Sequence, residues 1–170
     1  GETRFTRFDV VDDGGTLVLR ARSERAGASL RHSLYADPAL TPMLRWRWRT
    51  ERLIENADLT RRQGDDAPAR LCVYFDRSTE QMSLKERTLF KLAQRRQDNE
   101  LPAAALCYVW DGRQPVDTLQ DSARTRFVKL IVVSSGPAEL GRWGAYRRDA
   151  AADYRRAFGT DAPAVIGLSI

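Results

Sequence analysis

Residues 44–49 read Leu-Arg-Trp-Arg-Trp-Arg, and an alternation of this kind suits a β-strand. Successive side chains of a strand point to opposite faces, so Leu44, Trp46 and Trp48 share one face and Arg45, Arg47 and Arg49 the other. A helix would scatter both sets around its circumference. The apolar side belongs against a core, which leaves a row of three arginines on the opposite side.

Other stretches carry the same signature. Thr3 to Val11 and Thr16 to Arg22 are β-prone and flank Asp12-Asp13-Gly14-Gly15, a run suited to a hairpin turn. Ser29 to Tyr35, Met43 to Thr50, Arg70 to Asp76, Leu106 to Trp110, Thr125 to Val133 and Val165 to Ile170 are further strand candidates, with a short extended piece around Ala138 to Leu140. Arg70 to Asp76 and Thr125 to Val133 are apolar on both sides, as strands covered on both faces are. The polar segment from Glu51 to Ala69 reads as a long connection, and Asp111 to Asp121 as an exposed loop.

Two segments change period. Ser83 followed by Glu86 is a capping-box pattern, and Leu84, Leu89, Leu92 and Ala93 recur at helical spacing, which predicts a helix over 83–97. Tyr146, Ala150, Tyr154, Ala157 and Phe158 mark the stripe of a second helix, with Gly159 as its C-terminal cap. About eight strands and two inserted or peripheral helices, without alternating βαβ units, predict a mainly β fold. The expected form is an antiparallel β-sandwich of jelly-roll type forming a single domain over 1–170.

The 170 residues suffice for one core. The net charge of +5 comes from arginine, since the lysines are only Lys85, Lys91 and Lys129. Such a charge attracts anions at range. The basic residues are spread along the chain rather than gathered in a reading element, which disfavours nucleic acid. No apolar run is long enough to span a membrane, and no signal peptide is visible. The start at Gly1, inside strand-like sequence, reads as that of a trimmed or mature fragment. Cys72 and Cys107 lie in apolar runs. They pair if their strands are neighbours in an oxidising compartment, but buried free thiols are the commoner state in this context.

Leu44-Arg45-Trp46-Arg47-Trp48-Arg49, Gly64-Asp65-Asp66, Arg70 to Phe75, Leu106-Cys107-Tyr108-Val109-Trp110 and Ala152-Asp153-Tyr154-Arg155-Arg156-Ala157-Phe158-Gly159 occur in that order. As an ordered set over nearly the whole chain, they resemble the bacterial DUF3047 family of unknown function. The resemblance implies a β-sandwich protein of the exported, periplasmic type, with no activity to carry over. It also implies family segments beyond this stretch, including a Thr, Asp and Asn-rich segment and another strand after the position of Ile170.

Candidate chemistry rests on few residues. Arg45, Arg47 and Arg49 form either a solvated face neutralised by neighbouring carboxylates or a row for carboxylate or phosphate groups. The inverse arrangement would expose the tryptophans as a sugar-stacking platform. Tyr108 and Trp110 share one side of a strand and either extend an aromatic surface or pack in the core. Asp65 and Asp66 are paired loop carboxylates, candidates for Ca²⁺ or for acid and base work, with Glu51, Asp58 or Asp111 as a second carboxylate. A polar turn or an arginine ion pair is the plainer reading of that pair. His32 is the single histidine, Ser134-Ser135-Gly136 is not a nucleophile elbow, and no zinc, P-loop or dinucleotide pattern is present. The expectation is a binding module for a carbohydrate or anionic cell-envelope ligand, with no cofactor. The alternatives are a polysaccharide-acting enzyme using Asp65, Asp66 or Glu51, and a non-catalytic interaction protein.

Overall fold

The computed structural model describes residues 5–24, 26–95 and 102–170. Its strands are β1 (Phe5–Asp12), β2 (Leu17–Glu24), β3 (Arg31–Ala36), β4 (Met43–Trp48), β5 (Arg70–Phe75), β6 (Ala105–Asp111), β7 (Leu119–Ser122), β8 (Thr125–Ser135), β9 (Gly144–Asp149) and β10 (Val165–Ser169). The helices are α1 (Leu84–Arg95) and α2 (Ala150–Phe158), with a short 3-10 turn at Thr79–Gln81. The fold is mainly β with two helices, as the sequence predicts. The ends of the expected first strand and first helix, residues 3–4 and 96–97, lie outside the described residues.

Six strands form one sheet in the order β3-β10-β5-β6-β8-β7, while β1-β2 and β4-β9 are separate two-stranded ribbons. The pairs are antiparallel except β6-β8, which is parallel because β8 returns between β6 and the edge strand β7. That single pair departs from the purely antiparallel expectation. Both β6 and the centre of β8 are buried on each face, which explains why their sequences do not alternate.

On one face of the large sheet, Val73, Phe75, Leu106, Tyr108 and Ile131 meet Tyr154 of α2 and the inward side of β4, namely Leu44, Trp46 and Trp48. The tryptophans therefore do fill the core between layers. On the other face, Cys72, Cys107, Val109, Leu130 and Val132 are covered by Leu59 and Ala67 of the long connection. Cys72 and Cys107 are direct cross-strand partners in β5-β6 and form a disulfide, so the free-thiol expectation is corrected. Register put the two sulfurs side by side, and register was what the sequence left open.

The capping box at α1 forms as read: the Ser83 amide donates to Glu86 and the Glu86 amide to Ser83. Yet Leu84, Leu89 and Leu92 stay exposed, and Phe90 is the side chain that packs, against Met82 and Phe127. The second helix also needs correction at its start. Tyr146 belongs to β9, paired with Trp46, and the helix begins after Asp149, whose side chain accepts the Ala152 amide. Gly159 closes it in the left-handed conformation at φ 76°, as expected. Two further corrections are local: the expected loop at 111–121 contains the start of β7, and Ala138–Leu140 is turn rather than strand.

Candidate functional site

The β4-β9 ribbon carries the arginine row. Its register pairs Leu44 with Arg148, Arg45 with Arg147, Trp46 with Tyr146 and Arg47 with Ala145. The inward rings form a cluster in which Trp46 lies 5.4 Å from Tyr146, nearly parallel, and 5.0 Å from Tyr108. The Nε1 atoms of Trp46 and Trp48 are buried without an acceptor, so packing and stacking hold these indoles rather than hydrogen bonds.

On the outer face, Arg45, Arg47, Arg49 and Arg147 are all exposed. Arg49 is neutralised, at 3.1 Å from Asp13 and 3.0 Å from Glu51. Among the described residues, no carboxylate lies within ion-pair distance of Arg45, Arg47 or Arg147. Arg45 and Arg147 are directly opposite each other across the ribbon, an arrangement that costs stability when nothing screens it. Together with Arg47, Ala145, Trp46 and Tyr146 they line a shallow, open groove of about 670 Å³. The row thus has an end paired with carboxylates at Arg49, while Arg45, Arg47 and Arg147 have no ion-pair partner among the described residues.

Trp143 completes this face. The guanidiniums of Arg47 and Arg49 lie 5.1 and 5.2 Å from its ring centre, within cation–π range. Its Nε1 donates to Asp13 Oδ2 at 2.7 Å. That hydrogen bond, aided by Arg49 and Arg47, holds the Asp13 carboxyl below the usual aspartate range. Trp143, Arg147 and Asp13 were missed from sequence. The signal for Arg147 was present in the alternation of Ala145, Arg147 and Asp149 with Tyr146 and Arg148, masked by reading Tyr146 into the helix.

A buried network anchors β9 beneath the groove. Arg148 grips Asp153 of α2 with two nitrogens, at 2.8 and 2.6 Å, and reaches Asp117 with a third at 2.8 Å. Tyr108 donates its hydroxyl to Asp153 at 3.0 Å. Burial, then the Asp153 charge, pushes the Tyr108 phenol well above its ordinary range, and burial raises Tyr154 also. A phenol raised by folding contributes stability that is fully present below about pH 10 and is lost as pH rises beyond it, because only the unfolded chain ionises readily. The unfolding free energy from urea titrations between pH 9 and 11 is therefore expected to fall by up to about 1.4 kcal/mol per pH unit for each such tyrosine. Tyr108→Phe should flatten the profile, and an unchanged slope would remove Tyr108 from this account.

The remaining candidates separate. Tyr108 and Trp110 are fully buried, at 0% and 1% exposure, which corrects the aromatic-surface reading: their rings are core. Asp65 is a clamp, receiving Arg70 at 2.7 Å and Arg124 at 3.0 Å, with its carboxylate entirely enclosed. Asp66 faces outward and accepts the amide of Ala67. The two aspartates diverge as adjacent loop residues do, and Gly64 before them is needed because a Cβ there would meet the Asp58 backbone at 3.0 Å. Asp58 bonds Thr60 and Arg61 within its own turn, and Asp111 accepts the amides of Arg113 and Gln114. Glu51 belongs to the arginine ribbon, whereas Asp65 lies beside Cys72 and Tyr74 on the opposite face of the large sheet. Glu51 and Asp65 are therefore not brought together as an acid and base pair. Among the described residues, no group of three or more His, Cys, Asp or Glu side chains is placed to hold a metal, and no helix is long and apolar enough to cross a membrane.

No curated protein and no solved structure matches this chain. The model of one family, described as a protein of unknown function (DUF3047), matches residues 1–170. The matched span takes in the arginine ribbon, the Asp65 clamp, the paired cysteines and the Asp153 network together, and the chain belongs to the DUF3047 family.

Proposed function

We propose that this protein is an exported, periplasmic binding module that holds an anionic cell-envelope ligand, of acidic carbohydrate type, on the outer face of β4-β9. The observation that carries this reading is the facing pair Arg45 and Arg147 with Arg47 beside it, without a neutralising carboxylate among the described residues. Guanidinium groups suit carboxylates through forked hydrogen bonds, and the Trp143 ring, with Arg47 and Arg49 over it, holds those two guanidiniums in the row. The Cys72–Cys107 disulfide supports the exported location, since such bridges persist mainly in oxidising compartments.

The test is thermal unfolding of the wild-type chain and Arg147→Gln with an oligogalacturonate, using a neutral oligoglucan as control. Near 100-fold saturation, a ligand selective for the folded state adds about 2.7 kcal/mol, or roughly 5–10 °C for a domain of this size. The acidic probe alone is expected to raise the wild-type melting temperature. Arg147→Gln should lose most of that shift while being itself more stable at low salt by about 0.2–1 kcal/mol, through relief of like-charge repulsion. A full shift retained by Arg147→Gln would remove the ligand from this face.

A further inference from the structure

The β1-β2 hairpin pairs with no other strand among the described residues. It leaves Val10, Leu17 and Leu19 exposed, and an isolated two-stranded ribbon is marginally stable by itself. Among the described residues, the polar ties from this hairpin to the body converge on one side chain at its tip: Asp13 accepts from Trp143 Nε1 at 2.7 Å and from Arg49 Nη1 at 3.1 Å. The tip is built to present it, with Gly14 and Gly15 at φ 65° and 87°, conformations that glycine adopts without strain. Asp13 is thus a carboxylate seated at one end of a row whose other members, Arg47, Arg45 and Arg147, lack such a partner.

We propose that Asp13 is an internal stand-in for a ligand carboxylate, and that the site is built for a linear polymer carrying carboxylates along its length. This rests on the anion-binding reading above. Alternate residues on a strand lie about 6.6–6.8 Å apart, so Arg45 to Arg49 spans roughly 13 Å. A single carboxylate settles between Arg45 and Arg147 and leaves the hairpin tip in place. A polymer that follows the row displaces Asp13, takes its place on the Trp143 N–H and on Arg49, which keeps Glu51 as its other partner, and frees the hairpin. Asp13 therefore sets a length threshold, because a short ligand has no means to compete at the Arg49 end.

The experiment compares wild type with Asp13→Asn, which keeps the side-chain size and an acceptor oxygen for Trp143 but removes the charge. Binding of monomeric galacturonate and of an oligogalacturonate long enough to span the row is measured by calorimetry. Hydrogen exchange of the hairpin amides is followed with and without each probe. Asp13→Asn is expected to bind the oligomer about two- to fivefold more tightly, the range of an exposed ion pair, with monomer affinity unchanged. Hairpin exchange should be faster in the variant, and faster in wild type once the oligomer is bound. Unchanged oligomer affinity and hairpin exchange in Asp13→Asn, while Arg147→Gln still abolishes binding, would overturn the stand-in role and leave the anion site intact. Absence of binding to either protein would overturn both.

Discussion

Cys72→Ala/Cys107→Ala is expected to lower the melting temperature by roughly 6–15 °C, and to leave a protein whose unfolding no longer responds to reductant. The bridge closes a sequence separation of 35 residues, for which constraint of the unfolded chain is worth about 3–4 kcal/mol. In a domain of this size each kcal/mol moves the midpoint by about 2–4 °C. The bridge joins β5 to β6 at the middle of the large sheet, beneath Leu59 and beside Val109, where alanine leaves unfilled space and adds to the loss. The reference measurement is wild-type unfolding with and without dithiothreitol. Equal midpoints would mean that the two sulfurs are not joined in solution, and the compartment argument for an exported protein would lose its support.

Much of the strand layout was legible because period-two alternation is a local property. Leu44 to Arg49 declares its two faces without reference to any partner, and the Ser83–Glu86 box and the Gly159 cap declare helix ends in the same way. What the chain does not declare is register. The Cys72–Cys107 bridge and the facing of Arg45 with Arg147 depend on which residues stand opposite each other. Strand pairing between segments distant in the chain, 35 residues for the cysteines and about a hundred for the arginines, leaves no mark in either segment alone. The parallel β6-β8 pair was hidden for a related reason: β7 lies in a stretch whose Pro115, Gly112 and polar residues look like loop, and only its edge position lets so polar a strand form. The site followed the same division. Arg45 and Arg47 of β4, with Arg49 just after it, were visible as a row, while Arg147, Trp143 and Asp13 reach that row from β9, the turn before it and the hairpin tip, each placed by tertiary pairing.

Asp153→Ala is expected to be the most damaging single substitution near this site, costing about 3–5 kcal/mol. Its carboxylate has 8% side-chain exposure and receives two nitrogens of Arg148 together with the Tyr108 hydroxyl. Removing it leaves a half-buried guanidinium with only Asp117 as a carboxylate partner, and strands a fully buried phenol. Tyr108→Phe, which deletes only the donor, should cost about 1 kcal/mol. The paired replacement Arg148→Met/Asp153→Leu should recover much of the loss, because the penalty lies in the uncompensated charge rather than in the absence of the pair. Chemical denaturation of the four proteins separates these cases, and equal losses for Asp153→Ala and Tyr108→Phe would show that Arg148 finds its compensation elsewhere. The network also ties β9 to α2, and β9 carries Arg147 into its place opposite Arg45. In the paired replacement, a folded protein with weakened oligogalacturonate binding would show that Arg148 and Asp153 position the arginine face. Retained affinity would confine them to holding the layers together.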